Sequence, residues 1–117
     1  MNDYFERDYK ELKDLYNKVL EDLRKRKEIS NTSENTVRLE QQIFKNLDNL
    51  KKQVEVSITG YKKQYKNNTN ISEIEANKRL NMLNAISQNY TEYKKSYDEI
   101  INSKYQYVSN CNFRNMI

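Results

Sequence analysis

The side chains that could do chemistry in this chain are carboxylates, lysines, tyrosines and a single cysteine, Cys111. Histidine is absent, which removes the commonest general base and the commonest metal ligand. The sequence also lacks a glycine-rich phosphate loop and paired cysteines. Carboxylates such as Glu6 and Glu11 alternate with lysines, so we expect them on solvated helix faces and not in a catalytic cleft. The sequence therefore predicts no enzyme, no catalytic, cofactor-binding or metal-binding residues, and no cofactor.

Basic dipeptides could contact phosphate groups. They are Lys51-Lys52, Lys62-Lys63, Lys78-Arg79 and Lys94-Lys95. The net charge is only +4, from 21 basic and 17 acidic residues that are interspersed, whereas nucleic-acid binders concentrate their charge more. The pattern favours solvated helix faces, with a module that binds nucleic acid or an anionic lipid surface as the less favoured alternative.

The cysteine content and the hydropathy indicate the compartment. One cysteine cannot form an internal disulfide, which is typical of a reducing compartment such as the cytosol. The charged first residues do not resemble a signal peptide, and no run of about 18 apolar residues could span a membrane. We therefore expect a soluble, cytosol-facing domain.

The apolar residues that must position all these groups recur at intervals of three and four, as on one face of a helix. With no proline and a single glycine, three such ladders predict an all-α protein. We expect an antiparallel up-down-up three-helix bundle with helices at about 3–28, 36–66 and 72–108. The first ladder is Phe5, Tyr9, Leu12, Tyr16, Val19 and Leu23; the second is Val37, Glu40, Ile43, Phe44, Leu47, Leu50 and Val54; the third is Leu80, Leu83, Ile86, Tyr90, Tyr93, Tyr97 and Ile100.

Capping and charge signals predict the helix ends. Asp3 followed by Glu6 and Ser72 followed by Glu75 have the spacing of capping boxes. The basic run 24–27 suits the negative end of the first helix dipole. We expect the second helix to continue through Gly60, with a kink or fraying there as an alternative. The bundle would occupy residues 1–109, and residues 110–117, which lose the pattern, would be a tail or the start of a linker.

Five tyrosines lie on the inner faces of the second and third helices: Tyr61, Tyr65, Tyr90, Tyr93 and Tyr97. Tyrosine is polar at its tip and fills a core less tightly than leucine. One interpretation, which we favour, places the hydroxyls at the rim of the bundle. The other makes these residues a groove that accepts a helix from a partner.

The pattern resembles a known family, the regulatory N-terminal (Habc-type) bundles of the Qb-SNAREs, and within it the membrin group. Three segments carry the resemblance. They are the apolar positions of residues 4–19, the string Gln42-Ile43-Phe44-Lys45-Asn46-Leu47-Asp48-Asn49-Leu50, and residues 77–93, with Asn77-Lys78-Arg79-Leu80, Leu83 and Tyr90-Thr91-Glu92-Tyr93.

This resemblance implies a domain that regulates membrane fusion in ER–Golgi vesicle transport. The implied partners are other SNAREs or a downstream SNARE motif, tethers and coat adaptors, with no small-molecule substrate. It further implies a full-length protein held on the cytosolic face of Golgi and ER membranes by a C-terminal anchor, and a monomeric isolated domain. The residues alone leave open a generic coiled-coil scaffold or adaptor bundle.

Overall fold

The computed structural model describes residues 4–29, 34–67 and 70–116, and the side chains of 4–29, 36–67 and 70–104. These residues form three α-helices: α1 (Phe5–Glu28), α2 (Glu34–Asn67) and α3 (Glu73–Met116). The start of α1 contacts the end of α2, and the end of α1 contacts the start of α2. Likewise Arg79, near the start of α3, contacts the end of α2, and Lys104, farther along α3, contacts the start of α2. The helices are therefore antiparallel, which confirms the predicted up-down-up three-helix bundle.

The helix ends follow local capping and charge. α1 ends at Glu28, as expected, and carries Glu6 and Asp8 in its first turn and basic residues in its last, in agreement with the helix dipole. Its N-cap position is Tyr4, which makes no capping hydrogen bond with its side chain, while Asp3 lies outside the described residues. Before α3, the Ser72 hydroxyl accepts a hydrogen bond of 3.1 Å from the Glu75 amide, so the predicted cap is confirmed.

α3 does not end where its apolar pattern fades. The expected end was Val108, but the helix continues to Met116. Residues 105–116 contain neither proline nor glycine, so no residue in this stretch stops the helix. The loss of periodicity is therefore no signal for the end of this helix. The role of residues 110–117 as a linker stays a prediction.

Gly60 does not interrupt α2. The helix runs without a break from Glu34 to Asn67, and the backbone at Gly60 has no positive φ. A Cβ built at this position would meet no atom within 4 Å. The expectation of a continuous second helix is confirmed.

The buried apolar side chains form two clusters along the bundle. The first cluster lies toward the α2–α3 connection and the second toward the α1–α2 connection. The first contains Phe5, Leu12, Leu50, Val54, Tyr61, Leu83 and Ile86, and the second Val19, Leu23, Ile43 and Leu47. Most of the predicted ladder positions are thus in the core, and the remaining tyrosines pack against it half-buried.

Two predicted inner positions of α2 are wrong. Val37 is 45% exposed and Phe44 is 55% exposed. The buried stripe of this helix passes instead through Thr36, Glu40 and Ile43. Val37 and Phe44 each come one residue after a stripe position, which turns their side chains about 100° away from the core.

Candidate interaction surfaces

The five tyrosines proposed as a groove are distributed over the two clusters: Tyr61 and Tyr65 belong to the first, Tyr93 and Tyr97 to the second, and Tyr90 packs against both. Tyr61 is buried in the first cluster, where its ring meets Phe5 edge-on at 5.4 Å between centroids. Its hydroxyl donates a hydrogen bond of 2.6 Å to the Asp8 carboxylate. Tyr65 lies beside it, with the ring centroids 5.6 Å apart. Tyr61 thus joins α2 to the start of α1.

Arg79 of α3 contacts both other helices at this end of the bundle. Its guanidinium lies 4.9 Å from the centre of the Phe5 ring and donates a hydrogen bond of 3.4 Å to the Tyr65 hydroxyl. Its Nε also pairs with Glu75 one helical turn before it, at 3.1 Å. Tyr65 is thus tied to α3, which favours a structural role for its hydroxyl.

The α3 tyrosines lie farther along the bundle. Tyr90 packs against both clusters, and Tyr93 lies against Tyr16 of α1, with the ring centroids 5.1 Å apart. Burial, followed by the hydrogen bond with the Tyr16 hydroxyl, raises the pKa of Tyr93. Both residues are half-buried, and the choice between the rim and the groove interpretations stays a prediction.

Tyr97 meets Phe44, an exposed apolar side chain of α2. The centroid of its ring lies 6.2 Å from that of the Phe44 ring, so the two side chains meet where α2 and α3 face each other. Lys94 lies 5.5 Å from the centre of the Tyr97 ring and pairs with Asp98 at 2.6 Å. We call this surface, formed by Phe44 and Tyr97, the α2/α3 groove. A helix of a partner could bury Phe44 there.

Sequence reasoning missed a buried charge cluster. Glu40 accepts hydrogen bonds from Arg26 of α1 at 3.0 Å and from Lys104 of α3 at 3.2 Å. Arg26 is only 3% exposed, so the helix dipole, which was the expected reason for the basic run 24–27, does not account for it. The signal in the sequence was Glu40, a carboxylate at an inner position. We call these three residues the Glu40 clasp.

A second buried carboxylate belongs to the same half of the bundle. Asp22 is almost fully buried and accepts hydrogen bonds from Lys18 at 3.2 Å and from Gln42 of α2 at 2.9 Å. Among the described side chains, every buried nitrogen or oxygen has a hydrogen-bond partner. These charges join helices to one another.

The surface offers shallow depressions. One of about 680 Å³ lies along α3 beside Ile74, Lys78 and Met82, and one of about 310 Å³ lies between α1 and α2 beside Tyr4 and Gly60. Within the described part of the chain, no group of three or more acidic, cysteine or histidine side chains could hold a metal ion. None of the helices, over the residues described, has a stretch apolar enough to cross a membrane.

Comparison with known proteins finds no relative. No protein-family model, curated protein or solved structure matches the chain. The resemblance to the Qb-SNAREs therefore depends on the sequence segments quoted above and on the three-helix fold.

Proposed function

We propose that this chain is a partner-binding helical bundle that acts as the N-terminal regulatory domain of a membrin-like Qb-SNARE. Its mechanism is recognition of a helix, with no chemical step. The domain would lie on the cytosolic face of Golgi and ER membranes and regulate vesicle fusion there. Support comes from the three antiparallel helices and the sequence segments that resemble the family.

The observation that carries this proposal is the exposed aromatic ring of Phe44 beside Tyr97. Large apolar side chains at a groove between two helices are the usual anchors for an amphipathic helix. Tyr97 is half-buried and packs on the second cluster, so the apolar surface formed with Phe44 is continuous with the core. A helix laid in this groove would extend the bundle from three helices to four.

Two exposed cations of α2 favour an acidic partner. Arg38 and Lys45 follow Val37 and Phe44 in sequence, and both are exposed. Neither has an ion pair with another described side chain, so both charges are available to carboxylates on the incoming helix. We propose an amphipathic helix with apolar anchors toward Phe44 and acidic residues at its margin.

The first experiment is to sequence the transcript beyond the Ile117 codon. A heptad segment with a central glutamine, followed by a C-terminal apolar anchor, is the expected result for a SNARE. A stop codon directly after Ile117 would overturn the proposal.

The second experiment measures binding of the encoded downstream heptad segment to the bundle by titration calorimetry. Phe44→Asp places a charge at the anchor, and we expect it to weaken binding at least about tenfold. Val56→Asp is the matched control, because Val56 is also an exposed apolar residue of α2 but lies outside the groove. Equal affinity of the wild type and Phe44→Asp would show that the groove is not the binding surface.

A further inference from the structure

The two halves of α3 differ in how they pack. In the half nearer Glu73, Leu83 and Ile86 are buried, with 0% and 3% exposure. From Tyr90 to Lys104, none of the described side chains is fully buried, and tyrosines take the inner positions. This second half therefore contributes less apolar burial per turn than the first.

Beneath this weaker half lies a well-formed apolar surface. Val19 and Leu23 of α1 and Ile43 and Leu47 of α2 are each at most 3% exposed. α3 contributes no fully buried member to this cluster and covers it with half-buried Tyr90, Tyr93, Tyr97 and Ile100. α1 and α2 supply the surface, and α3 supplies only its cover.

The Glu40 clasp ties the end of this α3 segment, at Lys104, to α1 and α2. Lys104 is the α3 member of the clasp, 3.2 Å from both Glu40 carboxylate oxygens. Arg26 binds the same carboxylate from α1. Among the described side chains, Glu40 is the ion-pair partner of Lys104, so loss of the Glu40 charge removes the ion pair that ties this end of α3 to α2.

We propose that residues 90–104 of α3 form a displaceable strap over the surface made by Val19, Leu23, Ile43 and Leu47. The partner that displaces it is an amphipathic helix with leucine or isoleucine where the strap has tyrosine, because these side chains can be buried completely without a hydroxyl that needs a hydrogen-bond partner. The strap includes Tyr97, which is also part of the α2/α3 groove, but the surface that the strap covers lies beneath that groove and does not include Phe44. The strap does not depend on the proposed SNARE function.

Hydrogen–deuterium exchange of the intact chain tests the strap without any partner. We expect lower protection of the amides of residues 90–104 than of residues 80–86. Glu40→Ala should speed exchange in the strap about tenfold or more and leave residues 80–86 unchanged. Asp98→Asn is the matched control: it removes an ion pair of the strap that is internal to α3, and we expect little change. Equal protection of both segments in the wild type would overturn the proposal.

A synthetic peptide tests displacement if Glu40→Ala unfolds the whole chain. The probe is the sequence of residues 87–104 carrying Tyr90→Leu, Tyr93→Leu and Tyr97→Leu, titrated into the wild-type protein. We expect it to bind more tightly than the peptide of natural sequence and to speed exchange in the strap of the protein. No binding, or binding that leaves exchange in the strap unchanged, would overturn the proposal.

Discussion

Tyr93 is a residue at which the fold opposes ionisation. Burial and the hydrogen bond with Tyr16 raise its pKa above the ordinary tyrosine value of about 10. The folded chain then holds the phenolic proton more tightly than the unfolded chain does. The resulting stabilisation is complete below about pH 10 and is lost as the pH rises through the folded pKa.

We therefore expect the Tm to fall as the pH rises above about 10, and to fall less steeply in Tyr93→Phe. Thermal melts followed by circular dichroism between pH 8 and 11 measure this. Tyr4→Phe is the control, because Tyr4 is exposed and should leave the wild-type slope unchanged. The same slope in the wild type and Tyr93→Phe would contradict the shift.

Leu47 tests the second cluster directly. It is 2% exposed, and Leu47→Asp would bury a charge without a partner. Because domains are stable by only about 5–15 kcal/mol, we expect this variant to be unfolded at room temperature. Far-UV circular dichroism checks this, with Val56→Asp, at an exposed position of the same helix, as the control. Native helicity and an unchanged Tm in Leu47→Asp would mean that the core assignment is wrong.

At the residue scale, the sequence predicts which side chains are buried better than it predicts which side chains pair with one another. Leu47 is identifiable as core because its neighbours repeat at helical spacing. The inward orientation of Arg26 was not identifiable, since its partner Glu40 is 14 residues away and Lys104 is 64 residues from Glu40. Such pairs depend on how the helices align, and the spacing within one helix contains no information about that alignment.

At the scale of the element, α2 contains a glycine that the bundle does not require. Glycine in a helix costs about 1 kcal/mol relative to alanine. Gly60 has helical backbone geometry and open space where a Cβ would go. Its helix should therefore gain from a side chain at this position.

We expect Gly60→Ala to raise the free energy of unfolding by up to about 1 kcal/mol, measured by urea denaturation. Ala85→Gly is the matched inverse, because Ala85 is an exposed position inside α3, and it should cost a similar amount. Destabilisation by Gly60→Ala would indicate that the helix must bend or approach another segment closely at this point.

The ends of α3 show which element boundaries the sequence reveals. The start of α3 was predictable, because a capping serine accepts a hydrogen bond from the amide three residues later, and this short spacing can be seen in the sequence. The far end was not, because the apolar pattern reports burial and a helix can extend beyond the surface that buries it. Likewise the apolar pattern located α2 correctly but predicted that Phe44 is buried. Phe44 comes one residue after the buried Ile43, and a shift of one residue along a helix is enough to move a side chain to the surface.

At the scale of the whole molecule, the bundle is a narrow rod. Its principal extents are 69 × 23 × 16 Å, and its radius of gyration over Cα atoms is 19.1 Å. A compact domain of this length would have a radius of gyration of about 13 Å. The chain therefore buries a thin core along its axis and keeps much of its surface in water, which fits its 32% charged residues.

The oligomeric state distinguishes a self-contained regulatory bundle from a scaffold that forms dimers. The ladders of all three helices meet one another in the two clusters, so we expect a monomer of 14.2 kDa in solution. Sedimentation equilibrium measures the mass, and small-angle scattering should give a radius of gyration near 19.1 Å. A chain that paired through Phe44 would double its mass, and Phe44→Asp would restore the monomer. A dimer that Phe44→Asp dissociates would therefore identify the α2/α3 groove as a contact between copies and favour the scaffold over the SNARE-type domain.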